Sequence, residues 1–102
     1  MIFVLARIEV APGKRAAFLE EFHRLMPSVH AEAGCIEYGP AVDVETGMAK
    51  QSKLGDDVVM IVEKWESLAH LEAHLVAPHM TPYRERVKDI VRGTQLTVLD
   101  PA

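Results

Sequence analysis

The spacing of apolar residues changes period several times along the chain, and the order of those changes leaves few folds open. Residues 2–10 alternate, with Ile2, Val4, Ala6, Ile8 and Val10 on one face and Phe3, Leu5, Arg7 and Glu9 on the other, the repeat of a strand with two partly buried faces. Pro12 and Gly13 end it. From Lys14 the period lengthens, and Phe18, Phe22, Leu25, Met26, Val29 and Ala33 fall on one helical stripe opposite Lys14, Glu20 and Arg24. Pro27 lies inside that stripe, so a kink or short break is expected near Arg24 to Pro27. Gly34 then stops the helix.

Residues 35–44 return to strand character, with Pro40 calling for an edge position or a bulge because it cannot donate to a ladder. Turn signals at Thr46-Gly47 and Gly55-Asp56-Asp57 flank residues 48–54, which suit a short strand and an ordered loop equally. Val58 to Trp65 is the most strand-like segment, and its alternation sets Val59, Ile61, Glu63 and Trp65 on one face. Ser67 is suited to capping the helix that follows, where Leu68, Leu71 and Leu75 recur at helical spacing.

Pro78 interrupts this helix. Thr81-Pro82 offers a fresh N-cap with proline at the first helical position, and Met80, Tyr83, Val87 and Ile90 form a second stripe that Gly93 should close. Residues 95–99 read as a last strand. The order β-α-β-β-α-β, with the second helical region in two pieces, is the split βαβ arrangement of a ferredoxin-like α+β fold. At 102 residues and 49% hydrophobic composition, one domain over residues 1–102 is expected. Its core would be modest, and a partner chain would help to bury it.

The charge balance, 11 basic against 15 acidic residues for a net −4, argues against a sequence-independent grip on nucleic acid or anionic lipid. Cys35 is the only cysteine, so no intrachain disulfide or cysteine-rich metal cluster can form, and a reducing cytoplasm is the simplest setting. The apolar start, Ile2 to Ala6, is broken by Arg7 and Glu9 and reads as a strand, not as a signal peptide. No apolar run approaches the roughly 20 residues needed to span a bilayer. A Gly-rich phosphate loop, a Gly-x-Ser-x-Gly elbow and a dinucleotide fingerprint are all missing.

Candidate chemistry concentrates between residues 63 and 80, where an acid, the only tryptophan and three histidines fall together. Glu63 shares a strand face with Val59 and Ile61, so it must be paired, hydrogen-bonded or solvated in a cavity, and an ion pair with Arg7 is the structural alternative to a functional role. Trp65 points the same way, although a tryptophan at a strand end more often belongs to a core or interface than to a ligand site. His70 and His74 are four apart, a spacing that can chelate zinc, but the two further ligands a structural metal needs are not fixed by the sequence, and no metal is expected. His70, near the helix start, reads as a partly exposed polar residue. His74 sits one turn before the Pro78 break, where a neutral imidazole can take a proton from a phenol-like substrate, and by pattern alone that role and simple packing fit it equally. Tyr38 suits either a cavity wall or a seal on the sheet.

These blocks resemble the antibiotic biosynthesis monooxygenase superfamily, most closely its bacterial quinol monooxygenase branch. The resemblance runs through Val10-Ala11-Pro12-Gly13-Lys14, Glu32 to Tyr38, Glu63-Lys64-Trp65-Glu66-Ser67, and Ala73-His74-Leu75 on to Pro78-His79-Met80. It implies a homodimer in which two four-stranded sheets form an α/β barrel, with a substrate cavity between sheet and helices. It further implies oxidation of a quinol or polycyclic phenol by O2 to a quinone, with no cofactor. On that basis His74 is the expected base, Trp65 and Tyr38 flat walls, Glu63 an orienting partner and His79 a polar contact, with Met80 and Tyr83 as further substrate contacts.

The resemblance also frames alternatives. Haem-degrading relatives rely on an asparagine, and this chain has none. A branch acting on phosphorylated, autoinducer-2-type signals would need a basic site, for which Arg84 and Arg86 are candidates. A domain that only binds a small aromatic ligand is the non-enzymatic reading.

Overall fold

The computed structural model describes all residues, 1–102. Seven elements follow one another: β1 (Ile2–Val10), α1 (Arg15–His30), β2 (Cys35–Ala41), β3 (Val58–Trp65), α2 (Leu68–Leu75), α3 (Met80–Val87) and β4 (Val91–Leu99). The strands form one antiparallel sheet in the order β2-β3-β1-β4. This is the ferredoxin-like arrangement that the alternating periods imply. The sheet is open, with β2 and β4 at its edges.

Alternation in β1 and β3 decides which face is covered. Val4, Ala6, Ile8 and Val10 are buried on β1, and Val59, Ile61, Glu63 and Trp65 on β3. Phe18, Phe22, Leu25 and Val29 of α1, Leu71 of α2, and Met80, Tyr83 and Val87 of α3 close over that face in a single cluster. The opposite face carries Phe3, Leu5, Met60 and Val62, which stay only partly buried.

Several boundaries differ from the sequence reading. The helix expected to break near Pro27 runs unbroken from Arg15 to His30. Proline near the end of a helix removes one donor but leaves the last carbonyls usable, and Ala31 N–H still bonds to the Pro27 carbonyl at 3.2 Å. The third helix begins at Met80, with His79 in the capping position, so Thr81 is not its cap and Pro82 is the third helical residue. Proline costs nothing there, because first-turn N–H groups have no helical partner. Nor does Gly93 end a helix: the helix stops at Val87, and Gly93 lies in β4 opposite Glu9, beside the register shift at Glu9/Val10. An isolated glycine thus marks a bulge.

The second strand ends at Ala41, short of residue 44, and residues 48–54 form an ordered loop. Asp43 organises it by accepting from the backbone N–H groups of Leu54 and Gly55, both at 2.9 Å. Those bonds hold its carboxyl below the usual carboxylate range.

Candidate active site

Cross-strand register brings the expected residues into one neighbourhood. Tyr38 of β2 pairs with Glu63 of β3, which in turn pairs with Val4 of β1. Trp65, two residues on, faces the same way, and its Nε1–H donates to Glu63 Oε1 at 2.9 Å. α2 then lays His74 over this row. Its ring stacks on Trp65 with centroids 4.7 Å apart and meets Tyr38 edge-on at 5.2 Å.

Ser67 sets the start of α2 by accepting from the His70 backbone N–H at 3.3 Å, and its Oγ also meets His70 Nδ1 at 2.7 Å. His70 therefore serves the helix start and lies away from His74's partners. No group of three or more histidine, cysteine or acidic side chains is arranged to hold a metal ion.

Beside His74 and Glu63 opens a cavity of about 470 Å³. Ala6, Ile8 and Ile61 contribute its sheet side, Phe18 and Phe22 come from α1, and Met80, Tyr83 and Val87 from α3. Arg84, Lys88, Thr94 and Leu96 also line it, and all four are exposed, so they mark its mouth. The interior is thus apolar, with few polar groups converging on it, as ligand sites usually are.

Four of those groups are chemically open. Glu63 Oε2, His74 Nε2 and the hydroxyls of Tyr38 and Tyr83 make no hydrogen bond to protein. Every side-chain nitrogen and oxygen sealed from solvent has a partner, so these four atoms are reachable. Since their residues are buried and line the cavity, they are reached from within it.

Burial sets their protonation. It pushes the Glu63 carboxyl up from 4.5 to about 7, against the lowering effect of the Trp65 bond and with help from the Glu32 charge. Both Tyr38 and Tyr83 phenols are raised, again chiefly by burial, and remain neutral. The His74 ring is lowered from 6.5 by burial, while Glu32 opposes the shift. Neutral His74 therefore offers a lone pair at physiological pH.

Two expected contacts lie elsewhere. Trp65 is fully buried and is not on the cavity wall; it backs His74 and Glu63 from behind. His79 also lies off the cavity, because the α2–α3 turn directs its Nε2 to Glu32 at 2.7 Å. His74, Glu63, Tyr38, Met80 and Tyr83 do line the space. The alternative partner for Glu63, Arg7, is on the opposite sheet face and contacts Glu9 at 3.9 Å.

Glu32 is the residue that sequence reasoning missed. It lies in the turn between α1 and β2, and its Oε2 receives both His79 and His74, the latter at 2.9 Å from Nδ1. An acid between a helix end and a glycine carries no periodic signal, and it lies 42 residues from His74 in sequence. The two arginines considered for phosphate also separate. Arg84 reaches the cavity mouth, whereas Arg86 pairs with Glu21 at 2.8 Å.

Known proteins share both sequence and architecture with this chain. The family model described as "Antibiotic biosynthesis monooxygenase" matches residues 1–86. A relative from Escherichia coli (strain K12), named "Probable quinol monooxygenase YgiN", is 46% identical over 103 residues, covering 99% of this chain and 98% of its own. Among solved structures, PA3566 from Pseudomonas aeruginosa superposes with a TM-score of 0.79 at 23% identity, covering 99% of this chain and 93% of its own. Rv0793 from Mycobacterium tuberculosis gives 0.77 at 24%, covering 99% and 94%. The chain belongs to the antibiotic biosynthesis monooxygenase family.

Proposed function

We propose that this protein oxidises a quinol or polycyclic phenol with O2 to the quinone, without a cofactor. The carrying observation is the open Nε2 of a neutral, buried His74 at an apolar cavity, beside the open oxygen of Glu63. The quinol branch of the family, to which the E. coli relative is named, supplies the substrate class. His74 Nε2 takes a phenolic proton, and the anion formed is a far better electron donor than the neutral quinol. Two electrons pass to O2, both phenolic protons end on the reduced oxygen, and the products are quinone and H2O2. For a phenol with an unsubstituted ring position, the balanced outcome is a new ring carbonyl and one water.

Glu63, poised near neutrality, stabilises or exchanges the second proton, and Tyr38 and Tyr83 orient the substrate oxygens. A lining made mostly of apolar side chains keeps these interactions strong. The active unit in this reading is a homodimer. Its support is the uncovered face of Phe3, Leu5, Met60 and Val62, together with edge strand β4, where Leu96, Val98 and Leu99 are nearly half exposed.

The test is O2 uptake by purified protein with a reduced naphthoquinone such as menadiol, in the presence of superoxide dismutase. Consumption above autoxidation is expected, and His74→Ala should reduce it by about 10²- to 10⁴-fold, the usual worth of a general base, while keeping its circular dichroism spectrum. Ligand-induced stabilisation without turnover would favour a binding module instead. An unaltered rate in folded His74→Ala would remove His74 from the chemistry.

A further inference from the structure

Three side chains form a line from the cavity to the surface. His74, Glu32 and His79 have side chains 3%, 13% and 28% exposed, and the two rings meet the same carboxylate oxygen, Glu32 Oε2, at 2.9 and 2.7 Å. A carboxylate offers only acceptors, so each ring must present an N–H to it. For His74 that nitrogen is Nδ1. We propose that Glu32 is a positioning residue that locks His74 in the tautomer whose Nε2 lone pair faces the cavity, and that His79, by competing for the same oxygen, sets how strongly Glu32 supports that base. The proposal rests on the reading of His74 as proton acceptor.

The geometry explains why the base needs this arrangement. A neutral imidazole has two tautomers of similar energy, and only one leaves Nε2 free to take a proton. Stacking on Trp65 fixes the plane of the ring but does not distinguish its nitrogens. The hydrogen bond to Glu32 does. When Nε2 takes a proton the ring becomes cationic, and Glu32 faces that new charge across 2.9 Å. His79 and Arg84 act in the opposite sense, since both disfavour the cationic ring. The remaining ionisable groups near His74 are Tyr38 from β2, a neutral phenol, and Glu63 from β3, which lines the same cavity and accepts from the Trp65 ring N–H.

Glu32→Gln and His79→Ala should move His74 in opposite directions. The glutamine removes the opposing charge and can turn an N–H toward Nδ1, so His74 should titrate about one pH unit or more lower and shift toward the unproductive Nε2–H tautomer. Loss of His79 removes a competing donor and a repelling charge, so His74 should titrate higher. Nuclear magnetic resonance of ¹⁵N-labelled histidine reads both titration and tautomer without turnover. In parallel, the acidic limb of kcat/KM for menadiol oxidation should shift down in Glu32→Gln, with a kcat loss larger than any change in KM, and up in His79→Ala.

A His74 found as the Nε2–H tautomer in the unsubstituted protein, or a titration unmoved by either change, would overturn the proposal. If the resonances move as expected but the unsubstituted protein oxidises no quinol, the positioning role stands as a property of the site and the quinol reading falls. Equal loss of activity in both variants with unmoved resonances would mark a merely structural role and also overturn it.

Discussion

Glu63 is held in a conflict that a titration can expose. Its place on the strand's apolar face, 5% exposed, penalises the carboxylate, while the Trp65 N–H favours it, and the balance raises the group from 4.5 to about 7. A folded-state value above the unfolded one means that the native protein binds the extra proton. Stability from this group is therefore complete below about pH 4.5 and is lost as pH rises through about 7. Glu63→Gln keeps the shape and the acceptor for Trp65 but cannot ionise. Relative to the unsubstituted protein it should gain stability between pH 5 and 8, by an amount of order 3 kcal/mol at about 1.4 kcal/mol per unit. Urea unfolding at the two pH values measures it, and identical pH dependence in both proteins would contradict the burial argument. His74 opposes this trend in the unsubstituted protein. Its depressed value adds stability above pH 6.5 that is lost on acidification, a contribution that both proteins share.

Among the elements, the α1–β2 turn positions more than its length implies. Gly34 adopts φ +81°, and its carbonyl accepts from Glu66 N–H at 2.9 Å, tying the turn to the end of β3. The missing side chain leaves the space that the His70 ring occupies. Gly34→Ala should therefore destabilise the protein by two separable effects: about 1–2 kcal/mol for the left-handed backbone, and a further cost for the overlap with His70. Combining it with His70→Ala should recover the second part only. Denaturation of the single and double variants tests this, and full recovery in the double variant would remove the backbone contribution. Since Glu32 lies two residues before Gly34, the same turn sets the reach of the carboxylate toward His74.

At the scale of the molecule, helices cover one face of the sheet and leave the other to a partner in the dimeric reading. Leu5 lies at the middle of the uncovered face, opposite Val62 on one side and Thr97 on the other. Sedimentation should find a dimer, and Leu5→Glu should shift it to monomer, because a carboxylate buried across an apolar interface lacks a partner. A dimer of unchanged stability in Leu5→Glu would place the interface elsewhere.

Much of this was legible in the residue pattern. Two-residue and helical periods identified all seven elements in order, and alternation on β3 placed Glu63 and Trp65 on the buried face, because side-chain direction in a regular element follows from spacing alone. The pattern marks His74 and Tyr38 as candidates and the family resemblance adds Met80 and Tyr83, and all four line the cavity. The boundaries at Pro27, Thr81 and Gly93 are not legible in the pattern, since proline and glycine signal helix breaks and ends although both are tolerated near helix ends and at bulges. Only the tertiary structure decided that Trp65 backs the site, that His79 turns away from the cavity, and that Glu32 joins the two histidines. Those contacts join residues up to 47 apart in sequence across the α1–β2 and α2–α3 turns. Local spacing carries no information about which turn will face which, so His74 can be read from the chain, but the carboxylate bonded to it cannot.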